Sequence, residues 1–292
     1  MMDIREFAEE MRTRLLELLP EVKDIKIERS LKNNSVTLTS LILSEEGNNI
    51  CPTMYVDEYF KQYTMGRCQE SILADMILAY RKSRLHPMID VSFIRDWEKV
   101  KPIIAFKLIN TEKNQELLQN VPHKEILDLS MVFYIAVEEV GGTILIYNSH
   151  CDMWGIGLDE LINAAEENTP KLRPMLFTPL QEVMSEMLGD AAEEIPEYVK
   201  LYILSNKYKV HGAAVLLYPG ITESIAERLE SDLYILPSST HEVLILPTNG
   251  NCVSQLKEMV TEVNNNCVNA EEILGYNVYH YDREKKELSL AS

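Results

Sequence analysis

The residues best suited to chemistry lie in a short polar segment between two apolar runs, within residues 232–247. This segment, SSTHE, places a hydroxyl, an imidazole and a carboxylate close together in the chain. In a hydrolase, Ser239 would be the nucleophile, His241 its general base and Glu242 the group that orients the imidazole. Neighbouring side chains of an extended segment point in opposite directions, however, and Ser and Thr hydroxyls commonly bond to the backbone of turns. The pattern favours a turn between two strands over a catalytic triad.

A second reactive pair, His150 and Cys151, follows an apolar strand pattern in the segment NSHCD. A thiolate beside an imidazolium is the nucleophile of many cysteine enzymes. Side chains that are adjacent in sequence seldom face each other in the way this pair requires. We therefore favour a surface loop that leads to a helix capped near Asp159, and keep the catalytic pair as the alternative.

The spacing of the other candidate ligands predicts no metal site and no cofactor. His123 has Glu125 and Asp128 nearby, but HExxH and HxH spacings are absent and the six histidines are scattered. Neither GxxxxGK[ST] nor GxGxxG occurs, which argues against a familiar nucleotide-binding loop. The five cysteines form no CxxC pair, so we expect free thiols rather than disulfides or structural zinc.

Charge is distributed unevenly along the chain. The net charge is −18, with 18 Lys and Arg against 23 Asp and Glu in residues 1–140, and 10 against 23 in residues 141–292. Direct binding to nucleic acid is disfavoured, because backbone phosphates are held by Lys and Arg. The acidic second half would suit a protein partner or mimic a nucleic acid, although excess acid also simply maintains solubility. The sequence gives no indication of oligomeric state.

The apolar runs are too short for a membrane protein. None approaches the roughly 18 residues that span a bilayer, and charged residues interrupt the N-terminal segment where a signal peptide has its apolar centre. We expect a cytoplasmic protein with no membrane contact.

The elements that must position these groups alternate between helical and strand patterns, so the expected class is α+β. Residues 1–101 predict a helix at 4–19, a hairpin, an edge strand containing Pro52 and a long helix. Residues 102–188 and 189–292 each read strand–helix–strand–strand–helix–strand, which predicts mainly antiparallel sheets with helices on one face. The strand expected at 175–180 completes the first copy, and the strand expected at 213–218 begins the second. The two copies are either β-α-β-β-α-β-like repeats or parts of one compact body.

Several segments together resemble an uncharacterised bacterial family, domain of unknown function 5688. They are PTMY at 52–55, residues 120–129, TILIYN at 143–148, GAA at 212–214 and LPSSTHE at 236–242. The resemblance covers nearly the whole chain and implies that a familiar enzyme class does not fit. It implies no activity, cofactor or catalytic residue.

Three hypotheses for function remain. The first is a cytoplasmic interaction or regulatory protein without catalysis, and we favour it because catalytic motifs are missing and the second half is acidic. The second is a hydrolase that uses His241, or His150 with Cys151. The third is an acidic mimic of nucleic acid. Whether the protein is an enzyme is left open by the sequence.

Overall fold

A computed structural model of the protein describes residues 2–47, 51–83, 91–137, 142–188, 200–248 and 252–292. The chain forms two compact units, Met1–Ser92 and Phe93–Ser292. The boundaries drawn from the sequence at residues 101 and 188 stay predictions. In the part of the chain that is described, no helix is both long and apolar enough to cross a membrane.

The first unit starts with an amphipathic helix held by a strong N-terminal cap. Asp3 accepts hydrogen bonds from the backbone of Arg5 and Glu6, and Glu6 bonds back to the Asp3 backbone. Within the described residues of this unit, the α-helices and strands are α1 (Ile4–Leu18), β1 (Val22–Leu31), β2 (Thr37–Glu45), β3 (Thr53–Tyr55), α2 (Asp57–Thr64) and α3 (Gln69–Ser83).

The strands of this unit form an antiparallel sheet in the order β1-β2-β3, so β3 lies at an edge as the proline at 52 predicts. Its core consists of the apolar faces of α1 and α3 against the sheet, with Phe7 and Met11 fully buried. Asp57, the first residue of α2, accepts a hydrogen bond from the Thr39 backbone, and Val56 takes the N-cap position.

The second unit contains a small sheet built around one buried strand. Its strands are β4 (Ile104–Asn110), β5 (His123–Ile126), β6 (Leu129–Val137) and β7 (Gly142–Leu145). β6 pairs with β4 along one edge and with β5 and then β7 along the other, always antiparallel. Every residue of β6 is buried, which explains its uninterrupted apolar sequence.

The α-helices described in this region are α4 (Trp97–Val100), α5 (Gln115–Leu118), α6 (Asn148–Trp154) and α7 (Leu158–Leu172). α7 lies against β4, where Thr169 Oγ1 accepts a hydrogen bond from the Phe106 backbone at 3.1 Å. α6 ends at Gly155, whose φ of 70° is the left-handed conformation that glycine adopts at no steric cost. The segment expected to be a surface loop is therefore a short helix.

The larger sheet of the second unit has six strands in the order β13-β12-β10-β11-β9-β8. They are β8 (Met175–Pro179), β9 (Tyr202–Asn206), β10 (Leu233–Ser239), β11 (Glu242–Pro247), β12 (Tyr279–Asp282) and β13 (Glu287–Leu290), and all pair antiparallel. The helices are α8 (Leu180–Leu188), α9 (Ile221–Leu229) and α10 (Val253–Cys267), with Leu256 and Val260 of α10 packed on Leu236 of β10.

The α+β class and the antiparallel sheets predicted from the sequence are confirmed. Two elements differ from the expected repeat. Residues 213–218 were expected to form a strand, but Gly212–Leu217 is a buried 3-10 helix. β8, expected to complete the first copy, instead pairs with β9 in the sheet that contains β10–β13.

Candidate functional site

The turn between β10 and β11, predicted from the sequence, is held by polar contacts from several parts of the second unit. Ser239 pairs with Glu242 across the hairpin, which leaves Thr240 and His241 as the turn. Ser239 Oγ accepts a hydrogen bond from the His241 backbone at 3.1 Å, and the Thr240 backbone donates to the Glu272 carbonyl at 2.7 Å. The serine hydroxyl thus stabilises the turn itself.

Both ring nitrogens of His241 have partners from distant parts of the chain. Nδ1 accepts a hydrogen bond from the His211 backbone N–H at 3.2 Å, and Nε2 lies 3.3 Å from Glu272 Oε1. Because a backbone N–H can only donate, Nδ1 must be unprotonated, and Nε2 carries the proton that faces Glu272. The carboxylate beside this imidazole therefore belongs to Glu272, whereas the sequence suggested Glu242.

The backbone segments at this corner approach one another closely at Gly212. Ser205 Oγ donates to the His241 carbonyl at 2.7 Å. A Cβ atom at Gly212 would overlap both Ser205 Oγ and that carbonyl oxygen, and would lie 2.8 Å from the Asn206 nitrogen. Glycine at 212 is thus required by the close approach of β9, the 3-10 helix and the hairpin.

The His211 ring packs against the His241 ring, and its surroundings lower its pKa. The two imidazole rings stack with centroids 5.9 Å apart and an interplanar angle of 12°, and the Tyr134 ring lies 5.4 Å from the His211 ring. Burial, followed by the nearby Lys107, His241 and Arg173, lowers the pKa of His211 well below its usual value. The His211 ring is therefore neutral at pH 7.

Three polar atoms around His211 are buried: His211 Nδ1, Tyr134 Oη and Arg173 Nε. His211 Nδ1 has no hydrogen-bond partner among the residues that the structure describes, whereas Arg173 hydrogen-bonds the Tyr134 hydroxyl. Tyr134 is only 1% exposed, and burial raises the pKa of its hydroxyl while the adjacent Arg173 lowers it. We call Lys107, Tyr134, Arg173 and His211 the hairpin-base cluster. They come from β4, β6, the end of α7 and the segment after β9, so sequence spacing carried no signal for them.

Tyr218 connects this cluster to α7. Its hydroxyl donates to the Arg173 carbonyl at 2.9 Å, and its ring meets the Phe106 ring edge-on at 6.0 Å. Burial raises the pKa of the Tyr218 hydroxyl, so it remains a donor. The Arg173 guanidinium carbon lies 5.1 Å from the centre of the exposed Tyr208 ring.

The other predicted pair, His150 and Cys151, lies in the first turns of α6. His150 Nδ1 accepts a hydrogen bond from the Tyr147 backbone at 3.0 Å, and its ring stacks on Trp154 with centroids 5.6 Å apart. Burial and the neighbouring Asp152 raise the pKa of the Cys151 thiol. This environment opposes thiolate formation, and His150 is occupied in capping its helix.

A shallow polar cleft of about 410 Å³ lies elsewhere in the second unit, beside the turn between β5 and β6. Its wall includes Lys113, Asp128 and Tyr276. The Asp128 carboxylate accepts hydrogen bonds from Asn277 Nδ2 at 2.9 Å and from Tyr279 Oη at 2.8 Å. Asp128 therefore holds β12 to the smaller sheet, and none of the five predicted site residues lines this cleft.

Among the described residues, no group of three or more His, Cys, Asp or Glu is arranged to hold a metal ion. His123, considered above as a ligand, directs Nδ1 to the Val121 carbonyl at 3.0 Å. The His123 imidazole therefore contacts the backbone of its own segment.

These features define an α+β protein of two compact units, with a cluster of polar side chains at the base of the β10–β11 hairpin. A family model described as a family of unknown function, DUF5688, matches residues 4–283. The chain belongs to this family. No curated protein and no solved structure matches it.

Proposed function

We propose that this chain is a cytoplasmic, non-catalytic protein with an interaction or regulatory role. The observation that carries the proposal is the state of His241, whose two ring nitrogens are taken by the His211 backbone and the Glu272 carboxylate. A general base needs a free nitrogen within about 3 Å of the proton that it removes. The neighbouring Ser239 hydroxyl is likewise used by the turn.

The α6 pair supports the same proposal. A catalytic cysteine requires a lowered thiol pKa and an imidazole that faces the sulfur. Cys151 has a raised pKa, and His150 is held by the Tyr147 backbone and the Trp154 ring. Both predicted reactive segments therefore have structural uses for their side chains.

Charge favours a protein partner with a basic surface. Residues 141–292 carry 23 Asp and Glu against 10 Lys and Arg. Exposed carboxylates of this half include Asp159 and Glu160 at the start of α7 and Glu258 and Glu262 on α10. Complementary charge accelerates association and selects partners, and its effect weakens as salt screens it. The nucleic-acid mimic stays a prediction.

The competing function is a hydrolase based on His241, and one observation favours it. The 3.3 Å approach of His241 Nε2 to Glu272 resembles the pairing between a catalytic base and the carboxylate that orients it. Such an enzyme would need the hydroxyl of a residue other than Ser239, or an activated water, at Nδ1. The His211 backbone N–H already fills that position.

The two functions are separated by the variant His241→Asn. His280→Asn is the matched control, because His280 also pairs with a carboxylate, Asp232, at 3.7 Å in the same sheet. Purified wild type and both variants are assayed with ester, peptide and phosphoester substrates, and folding is checked by circular dichroism. We expect no turnover that depends on His241. Turnover lost in folded His241→Asn and kept in His280→Asn would contradict the proposal.

A further inference from the structure

The polar cleft beside the β5–β6 turn is built from three segments that lie far apart in the chain. Its wall is formed by residues between 110 and 115, by residues 127–128 and by residues 276–277. Its volume of about 410 Å³ falls within the roughly 300–1,000 Å³ that is typical of sites for small molecules. The partners of His241 described above do not line this cleft, so it is a second place where distant elements bring polar groups together.

Hydrogen bonds between these segments hold the wall of the cleft in place. The Thr111 backbone N–H donates to the Asp128 carbonyl at 3.0 Å, and Asn110 Nδ2 donates to the Leu274 carbonyl at 3.3 Å. Asn277 Nδ2 donates to the Asp128 carboxylate at 2.9 Å. Because these contacts are already made without a ligand, binding here would cost little in ordering of the protein.

The charged side chains that line the cleft have both signs. Lys113 carries a positive charge, whereas Asp128 and the exposed Glu112 each carry a negative one. A small molecule with a net charge of either sign would therefore meet a like charge in the cleft. The Asp128 carboxylate accepts one hydrogen bond from Asn277 and one from Tyr279, which leaves about two of its roughly four lone-pair positions for a ligand. The cleft therefore suits an uncharged ligand that donates hydrogen bonds.

Apolar surface lies beside these carboxylates. Leu127 lines the cleft, is 43% exposed and has a φ of 58°, a conformation that glycine adopts freely and leucine rarely does. Backbone conformations of this kind cost free energy and are concentrated at functional sites. The half-buried Tyr276 ring also lines the cleft, and its centre lies 4.6 Å from Lys113 Nζ. A ligand would thus meet an apolar surface and hydrogen-bonding groups together.

We propose that this cleft binds a small uncharged polyhydroxy compound, namely a monosaccharide. Sugar hydroxyl groups both donate and accept hydrogen bonds, and the C–H groups of the sugar ring form an apolar face. The hydroxyl groups would donate to Asp128 and Glu112, and the apolar face would lie on Leu127. The inference goes beyond the proposed function and does not depend on it, because His241 and its partners take no part in the cleft.

Titration of the full chain with glucose, galactose, mannose and N-acetylglucosamine tests the proposal, with leucine, butylamine and acetate as charged arms. Binding is read by saturation-transfer NMR of the small molecule, because concentrated sugars stabilise folded proteins without binding to them. We expect saturable binding of at least one sugar, with a dissociation constant of about 1 mM as suits a shallow site. The inference is overturned if no sugar saturates below roughly 20 mM. It is also overturned if a charged compound binds more tightly than every sugar.

Glu112→Gln locates the bound sugar, and Glu116→Gln is its matched control. Both glutamates are exposed and lie one turn apart, but Glu116 does not line the cleft. Because hydrogen bonds to a carboxylate are stronger than those to an amide, we expect Glu112→Gln to weaken sugar binding about fivefold. The Glu116 variant should bind like wild type. Equal affinity in the two variants would show that the sugar binds elsewhere.

Leu127→Gly tests the apolar side of the cleft in a backbone that glycine accepts without strain. Glu230→Gly is the control, since Glu230 also has a positive φ, of 53°, at the end of α9 and outside the cleft. We expect folded Leu127→Gly, checked by circular dichroism, to bind the sugar about threefold more weakly. The control should keep wild-type affinity. Undiminished binding by folded Leu127→Gly would overturn the placement of the sugar on this leucine.

Discussion

The hairpin turn and the start of α6 both looked reactive in sequence, yet their histidines are used in different ways. His150 bonds to a backbone three residues away and stacks on Trp154 within its own helix. His241 instead takes its partners from residues 211 and 272, and Ser205 bonds to its carbonyl. One segment is a local helix cap, and the other is a junction of distant strands.

This difference shows which reactive-looking segments merit a functional test. His150 finds its hydrogen-bond and stacking partners within its own helical segment, so no distant element is needed to hold it. The histidine at the hairpin is surrounded by residues brought together from several elements, and His211 Nδ1 among them has no partner in the described part of the chain. Long-range assembly of polar groups is costly, so it signals a site more strongly than a run of reactive residues does.

The largest effect is expected from Gly212→Ala. The new methyl group would overlap Ser205 Oγ and the His241 carbonyl, and we expect a loss of about 3 kcal/mol in unfolding free energy. Gly157→Ala, at the N-cap of α7, meets no atom within 4 Å and should cost less than about 1 kcal/mol, through the loss of a favourable cap residue. Urea denaturation measures both. Similar losses of unfolding free energy in the two variants would contradict the conclusion that Gly212 is more tightly packed than Gly157.

The second effect is a pH dependence that originates at His211. Its folded pKa lies well below the unfolded value of about 6.5, so below that pH the unfolded chain binds a proton that the folded chain does not. Stability is therefore fully present above pH 6.5 and falls with acidification by up to about 1.4 kcal/mol per pH unit. The loss continues down to the folded pKa.

The variant His211→Asn should flatten this part of the stability profile. Asparagine tolerates the left-handed backbone that His211 adopts, with φ of 54°, so the fold can accept it. His123→Asn, on β5, is the control. Unfolding free energies between pH 5 and pH 7.5 give the comparison. Parallel profiles for wild type and His211→Asn would mean that His211 is accessible to protons in the folded protein.

The smallest effect concerns the thiol of α6. Cys151 is half-buried with a raised pKa, whereas Cys252 is exposed and has a lowered pKa because Ser254 bonds to its sulfur. Brief treatment of the native protein with a maleimide should label Cys252 about tenfold faster, as read by peptide mass spectrometry. In guanidinium chloride the two rates should converge. Faster labelling of Cys151 in the native state would instead reveal an activated thiol in α6.

Local patterns were enough to predict much of the fold. The helical spacing of 4–19, the β1–β2 hairpin and the edge position of β3 all follow from short-range periodicity and from Pro52. The strand predicted at 213–218 was wrong, because a segment buried on all sides is apolar in any conformation. Periodicity then cannot separate a strand from a 3-10 helix.

The candidate site could be predicted only in part. His241 and its turn follow from the polar segment between two strand patterns. Glu272, His211 and Arg173 could not be found in this way, because each reaches the hairpin from a different element. Their proximity is a product of the tertiary fold, and a single sequence contains no spacing rule for it.

The two hydrogen bonds that Asp128 accepts from Asn277 and Tyr279 have a consequence for biosynthesis. About 150 residues of chain separate these partners. Because the ribosome synthesises the chain from its N-terminus onward, the smaller sheet emerges long before β12 does. Closing so long a loop is slow, and the early strands wait with this aspartate unpaired. Nascent chains arrested before residue 277 should therefore be more sensitive to protease in the second unit than released ones.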